Sequence, residues 1–330
     1  MESVKSMNIH KRNPMISIAK AIGIILMVMG HVFDKDSWCV HLIYMFHMPL
    51  FFVLSGYFFK TPKSPKDSLI FLKKKFLGLY VPYLLWTVLF ILLHNFLLIY
   101  GIGENEYNFS LAASCLIKSA LTFVTTEKVL VGFWFLKALF SAIIFLALYS
   151  IATRKIHVEI YQKIVCLLMM VLLLLIFDFH NKTLLGMFYG AVFLCCGRIY
   201  RDNMLEEKVQ GCAWFLTLGF CLLLLSRCYS DVANTEMLLI DKTTFLPFTL
   251  SGCLGSVLVL MIAKHAGETA NSKVADLIRY IGDHSLIILA LHYPLIKIFD
   301  FYFVKNVCNY TTLQHISGGG NRGVCSYRAV

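Results

Sequence analysis

The sequence predicts an all-α polytopic membrane protein, a bundle of about nine to ten transmembrane helices with its N-terminus in the cytoplasm. Three observations carry that reading. Of the 330 residues, 58% are apolar and only 15% are charged, against about 45–50% and about 25% in a soluble domain. Mean hydropathy is +0.72, and apolar runs of about 20 residues, enough to cross a bilayer, recur along the chain. Lys and Arg fall mainly between those runs. A surface so poor in charge does not stay dissolved, which excludes a soluble enzyme, a disordered hub and a secreted disulfide scaffold. The net charge of +11 then reports membrane topology rather than a nucleic-acid footprint. The lipid bilayer is the expected partner and nucleic acid is not.

Taken in order, the runs place spans over residues 16–33, 40–59, 76–100, 130–151, 161–178, 183–200, 211–227, 245–264 and 284–304. The first follows Lys11 and Arg12, as a signal peptide would, but no small-residue cleavage site follows it and further spans do. Segment 109–125 carries Lys118 and several polar residues, which suits a helix lying on the membrane surface. With the N-terminus inside, the inner loops hold about twice as many Lys and Arg as the outer ones, which fixes the orientation. The chain divides into a cytoplasmic segment (1–15), a transmembrane domain (16–305) and a polar tail (306–330), read as disordered or truncated. Eleven Cys, with Cys195–Cys196 adjacent and no CxxC, read as small buried hydrophobes, so no metal site is expected.

Ionisable residues inside spans cost several kcal/mol and mark sites or pathways. The first span carries Lys20 and His31. Eleven residues at about 100° each return to about 20° past three turns, so the pair shares one face, about 16 Å apart along the axis. Lys20 lies toward the cytoplasm. The second span, HLIYMFHMPLFFVLSGYFF, places His47 mid-helix beside Pro49, with Ser55–Gly56 small enough for close helix contact. Trp134 and Lys137 follow in GFWFLKALF, and His292 precedes Pro294 in LALHYPLI. Histidine is the side chain best suited to take a proton from a hydroxyl near neutral pH. Lys73, Lys74 and Lys75 offer point charges to a phosphate, although positive-inside anchoring explains them too.

The segments AKAIGIILMVMGH, FHMPLFFVLSGYFF, KKKFLGLYVPYLLW, FWFLKALF and LHYPLI, in this order and spacing, resemble the membrane acyltransferase-3 family. The fucose 4-O-acetylase-like branch is the most similar. The resemblance covers residues 16 to 300. It implies an O-acetyltransferase of the cytoplasmic (inner) membrane, which takes acetyl from cytoplasmic acetyl-CoA and places it on a sugar hydroxyl of a cell-surface or lipid-linked glycan. No permanently bound cofactor is implied. The family's basic residue, ten residues and His map onto Lys20 and His31, which makes His31 the catalytic histidine, as general base or transient acyl carrier. Asp34 and Asp36 are candidates to orient it. His47 is expected to join Lys20 and His31 in the catalytic group and to line the same cavity as Ser55. Ser55, Trp134, His292 and Lys73–Lys75 are expected to bind donor or acceptor.

The chain departs from the family pattern in two motifs. Ser17 stands where an Asp is usual, and Lys75 and Gly78 stand where the third helix usually carries two Arg. A Lys does not reproduce a bidentate Arg–phosphate contact. Two other readings therefore stand beside the enzyme. One is a secondary transporter lined by Lys20, His31, His47 and His292. The other is a degenerate, non-catalytic family member. No inverted repeat supports the first.

Overall fold

The computed structural model describes residues 13–34, 37–62, 64–153, 168, 182–202, 218–219, 221–222, 245–269 and 273–317. Every element of secondary structure among them is helical. The longer helices are α1 (Pro14–Val32), α2 (Trp38–Tyr57), α3 (Pro65–Lys75), α4 (Val81–Leu97), α5 (Phe109–Thr122), α6 (Trp134–Ala152), α7 (Lys182–Asp202), α8 (Phe245–Thr269), α9 (Lys273–Asp283) and α10 (Ser285–Ser317). Seven stretches are long and apolar enough to cross a membrane: Pro14–Val32, Trp38–Tyr57, Lys66–Tyr100, Lys128–Ala152, Lys182–Asp202, Phe245–Glu268 and Ser285–Phe303. They match seven of the expected spans. The expected spans 161–178 and 211–227 lie outside the described residues, apart from a few isolated positions.

Local chemistry sets the helix ends. Asn13 caps α1, its side chain accepting from the Met15 N–H at 3.0 Å, and Pro14 fits the first turn, where no N–H is needed. Ser64 and Asn108 cap α3 and α5 in the same way.

Two boundaries differ from expectation. The third span begins well before residue 76, because α3 runs into α4 through a π-helical stretch, Phe76–Tyr80. Lys66–Tyr100 is then a 35-residue rod, longer than a bilayer needs at about 1.5 Å per residue. At the other end, α10 continues to Ser317, past residue 306 where a polar tail is expected. Once the apolar turns of 285–303 have nucleated the helix, each further polar residue adds one backbone hydrogen bond.

Helix α2 holds the centre of the bundle, packed against α1, α7 and α8, while α1 also meets α9 and α10 and α6 lies along α7. Small residues make these contacts close. A Cβ on Gly56 would run into the Leu194 carbonyl, and one on Gly197 into the Val53 carbonyl, so α2 and α7 touch backbone to backbone. Gly255 of α8 leaves the same kind of room for Phe46. By contrast, α5 is too short to span at 14 residues and leaves Phe109 and Leu121 largely exposed. Its last turn is held by Tyr80 and Tyr83, whose hydroxyls donate to the Ala120 and Ser119 carbonyls at 2.7 and 3.1 Å.

Gly197→Ala should therefore destabilise the bundle by about 1–3 kcal/mol, the usual cost of overpacking. Gly78→Ala, whose Cβ would meet nothing within 4 Å, should leave thermal unfolding of the detergent-solubilised protein unchanged.

Candidate active site

The α1 face predicted to carry both Lys20 and His31 is a wall of the site. Lys20, Ile24 and Met27 line a cavity of about 300 Å³, and His31 follows Met27 by one turn on the same stripe. Facing them are Ser55 of α2, Lys75 and Gly78 of the long rod, and Ser285 and Leu289 of α10. The Ser55 hydroxyl donates to the Phe51 carbonyl at 2.9 Å. The Lys75 ammonium lies 5.6 Å from the Phe71 ring centre. Lys73 and Lys74 are exposed on the last turn of α3 and do not line this cavity. Successive helical residues turn by about 100°, so three consecutive lysines cannot all face one cavity.

At the far end of the stripe, aromatic and imidazole rings gather. The His31 ring lies 5.1 Å from that of His292, 6.0 Å from Tyr293 and 6.4 Å from Tyr44, centre to centre. Tyr44 reaches across to α1, its hydroxyl donating to the Gly30 carbonyl at 2.9 Å. A side chain at position 30 would press on the Tyr44 ring at 3.3 Å, which gives the Gly-His pair a packing reason. His47 is buried 5.2 Å from the Tyr44 ring. It does not line the Lys20 cavity, whereas Ser55 does. Asp34 is exposed beyond the end of α1, and Asp36 lies outside the described residues.

Hydrogen bonds fix the histidine tautomers. His47 Nδ1 donates to the Ile43 carbonyl at 2.8 Å. His292 Nδ1 donates to the Leu289 and Ile288 carbonyls at 3.0 and 3.2 Å. A neutral imidazole that donates from Nδ1 presents a lone pair at Nε2. Nε2 of His292 is buried and has no hydrogen-bond partner among the described residues. Two imidazoles stand side by side, one of them poised to accept a proton. That arrangement can remove a proton from a hydroxyl brought between them.

A second cavity, of about 620 Å³, opens on the other flank of α10 and α6. Tyr293 lines it, together with Trp134, Lys137, Lys182 and Glu127. Neither Trp134 nor His292 lines the Lys20 cavity, and His292 lies beside Gly132, where a Cβ would sit 3.9 Å from its Cε1.

Sequence reasoning missed the polar group beside this cavity. His94 stacks on Tyr107 at 3.5 Å. Its Nδ1 meets Glu127 Oε2 at 2.9 Å and its Nε2 meets the Asn105 carbonyl at 3.0 Å. Nε2 donates to the Asn105 carbonyl and Nδ1 pairs with the Glu127 carboxyl, so both ring nitrogens are partnered. Burial and the charge of Glu127 push the Tyr107 hydroxyl upward from its ordinary pKa. Nearby, a hydrogen bond from Lys128 holds the Glu104 carboxyl below its usual range. Residues 94, 107 and 127 share no local pattern, so no spacing in the sequence announces them.

Breaking a buried hydrogen-bonded pair leaves its partner unsatisfied. Glu127→Ala should therefore lower stability by about 1–3 kcal/mol, and His94→Ala combined with it should add little, as measured by thermal unfolding in detergent.

Comparison with known proteins gives one match. A family model described as an acyltransferase domain, that of the acyltransferase-3 family, spans residues 13–317. No curated protein and no solved structure matches the chain. Together with the apolar helices, a match over nearly the whole chain shows that this multi-pass membrane protein belongs to the acyltransferase-3 family.

Proposed function

We propose that the chain is an O-acetyltransferase of the cytoplasmic membrane, moving acetyl from cytoplasmic acetyl-CoA to a sugar hydroxyl of a cell-surface or lipid-linked glycan. Its motifs resemble those of the fucose 4-O-acetylase-like branch. The observation that carries the reading is the stripe on α1, which leads from a cavity holding two cations, Lys20 and Lys75, to the paired rings of His31 and His292. The apolar walls of that cavity suit the flexible arm of a thioester donor, and its lysines suit the donor's phosphates as point charges. The larger cavity, with Trp134 and Tyr293 in its wall, suits a sugar, whose apolar ring faces pack on aromatic side chains. The N-terminus inside and about nine spans, as the loop charges predict, put the Lys20 end on the donor side.

In this reading His31 is the general base. It takes the proton of the sugar hydroxyl as the oxygen attacks the acetyl carbon. The carbon–sulfur bond breaks, the thiolate of CoA leaves, and the proton on the imidazole returns to that sulfur. His292 stands next to His31 and steadies the charge that the proton brings. His47, one layer away across Tyr44, supports the ring cluster.

The test is mass spectrometry of surface glycans from cells carrying wild type, His31→Ala or no copy of the gene. One acetyl increment should appear with wild type alone, and His31→Ala should reduce it by about 100-fold or more. An increment that survives His31→Ala removes the histidine from the chemistry. Its absence with wild type favours the transporter or the non-catalytic member.

A further inference from the structure

The C-terminal end of α9 is pressed onto α1 at the turn that carries Lys20. Gly282 makes the approach possible, because a Cβ there would run into the Ser17 carbonyl and stand 3.0 Å from the Ala21 nitrogen. The next residue, Asp283, accepts a hydrogen bond from the Ser17 hydroxyl at 2.7 Å. Ser17 and Lys20 are three residues apart, so they are neighbours on one helix face. Asp283 is equally close in sequence to Ser285 and Leu286, which line the cavity with Lys20. The carboxylate is thus held against the turn of α1 whose Lys20 lines an apolar cavity together with Lys75.

Physical cost makes this placement informative. Asp283 is half-buried just ahead of the span that begins at Ser285, where a nearby cation favours a carboxylate, and two lysines in one apolar cavity repel each other. An acid held beside the Lys20 turn offsets that repulsion. The Ser17 hydroxyl fixes one carboxylate oxygen and so sets the direction of the other.

We infer that Asp283 is the counter-charge and positioning residue of Lys20: a carboxylate supplied from α9, anchored by Ser17, that fixes the ammonium in the donor cavity. The positioning role rests on the acetyltransferase reading, whereas the pairing stands on the packing alone. Ser17, which departs from the family pattern, becomes the anchor of an acid delivered from a distant helix.

A double-mutant cycle on the purified full chain in detergent tests the pairing without reference to activity. Lys20→Met and Asp283→Asn should each lower the melting temperature, and the double variant should melt no lower than the worse single. Additive losses would overturn the pairing. Moving the acid, with Ser17→Asp and Asp283→Ser together, tests positioning. It should restore most of the melting temperature lost in Asp283→Asn. It should also return the donor KM, raised at least about tenfold in Asp283→Asn (1.4 kcal/mol), to within about threefold of wild type. A relocated variant no better than Asp283→Asn would show that the acid serves only as a structural tie. Absence of transfer by wild type, with the melting cycle still coupled, would sink the acetyltransferase reading and leave the ion pair standing.

Discussion

Carrying lysine and imidazole groups through hydrocarbon is the constraint on which the rest of the structure depends. Such groups are tolerated only where protein covers them. Lys20, His31, His47 and His292 all sit where α1, α2 and α10 converge with their neighbours. Covering them requires helices to approach until backbones touch, because no hydrophobic gain drives helix association inside a lipid bilayer. The glycines at 56, 197, 255 and 282 supply that proximity. The same small residues that hold the bundle together therefore bring the polar residues into one place.

The covered groups divide by chemistry. Cations collect at one end of the α1 stripe, where Lys20 and Lys75 share a cavity with Ser55. Neutral or proton-accepting rings collect at the other, around His31, Tyr44, His292 and Tyr293. The larger cavity reaches this second group through Tyr293. An anionic donor and a hydroxyl acceptor approaching from two cavities would meet at the histidines. In the proposed reading this suits transfer between two substrates better than passage of one solute, since His31 and His292 line neither cavity.

Much of this was legible in the chain because it is periodic or compositional. Apolar runs gave the spans, and an 11-residue separation put Lys20 and His31 on one face. The ring cluster was half visible: His292 stood out beside Pro294, but Tyr44 and Tyr293 looked like ordinary aromatic residues until the fold set them around His31. The contacts that escaped notice are those between distant segments. The Ser17–Asp283 bond spans 266 positions, and Ser17 viewed alone is a lost acid rather than an anchor. His94 and Glu127 meet only because the loop at 101–108 folds back. The three consecutive lysines at 73–75 looked equivalent, and only the turn of about 100° per residue along α3 selects Lys75 for the cavity.

In the proposed mechanism the α1 stripe separates donor binding at Lys20 from chemistry at His31. Equilibrium binding of acetyl-CoA to the purified chain, measured alongside acetyl transfer in the same preparation, tests it most directly. His31→Ala should bind the donor as wild type does while losing transfer, and Lys20→Met should weaken binding itself. Loss of donor binding in His31→Ala, or full transfer without it, would contradict the account.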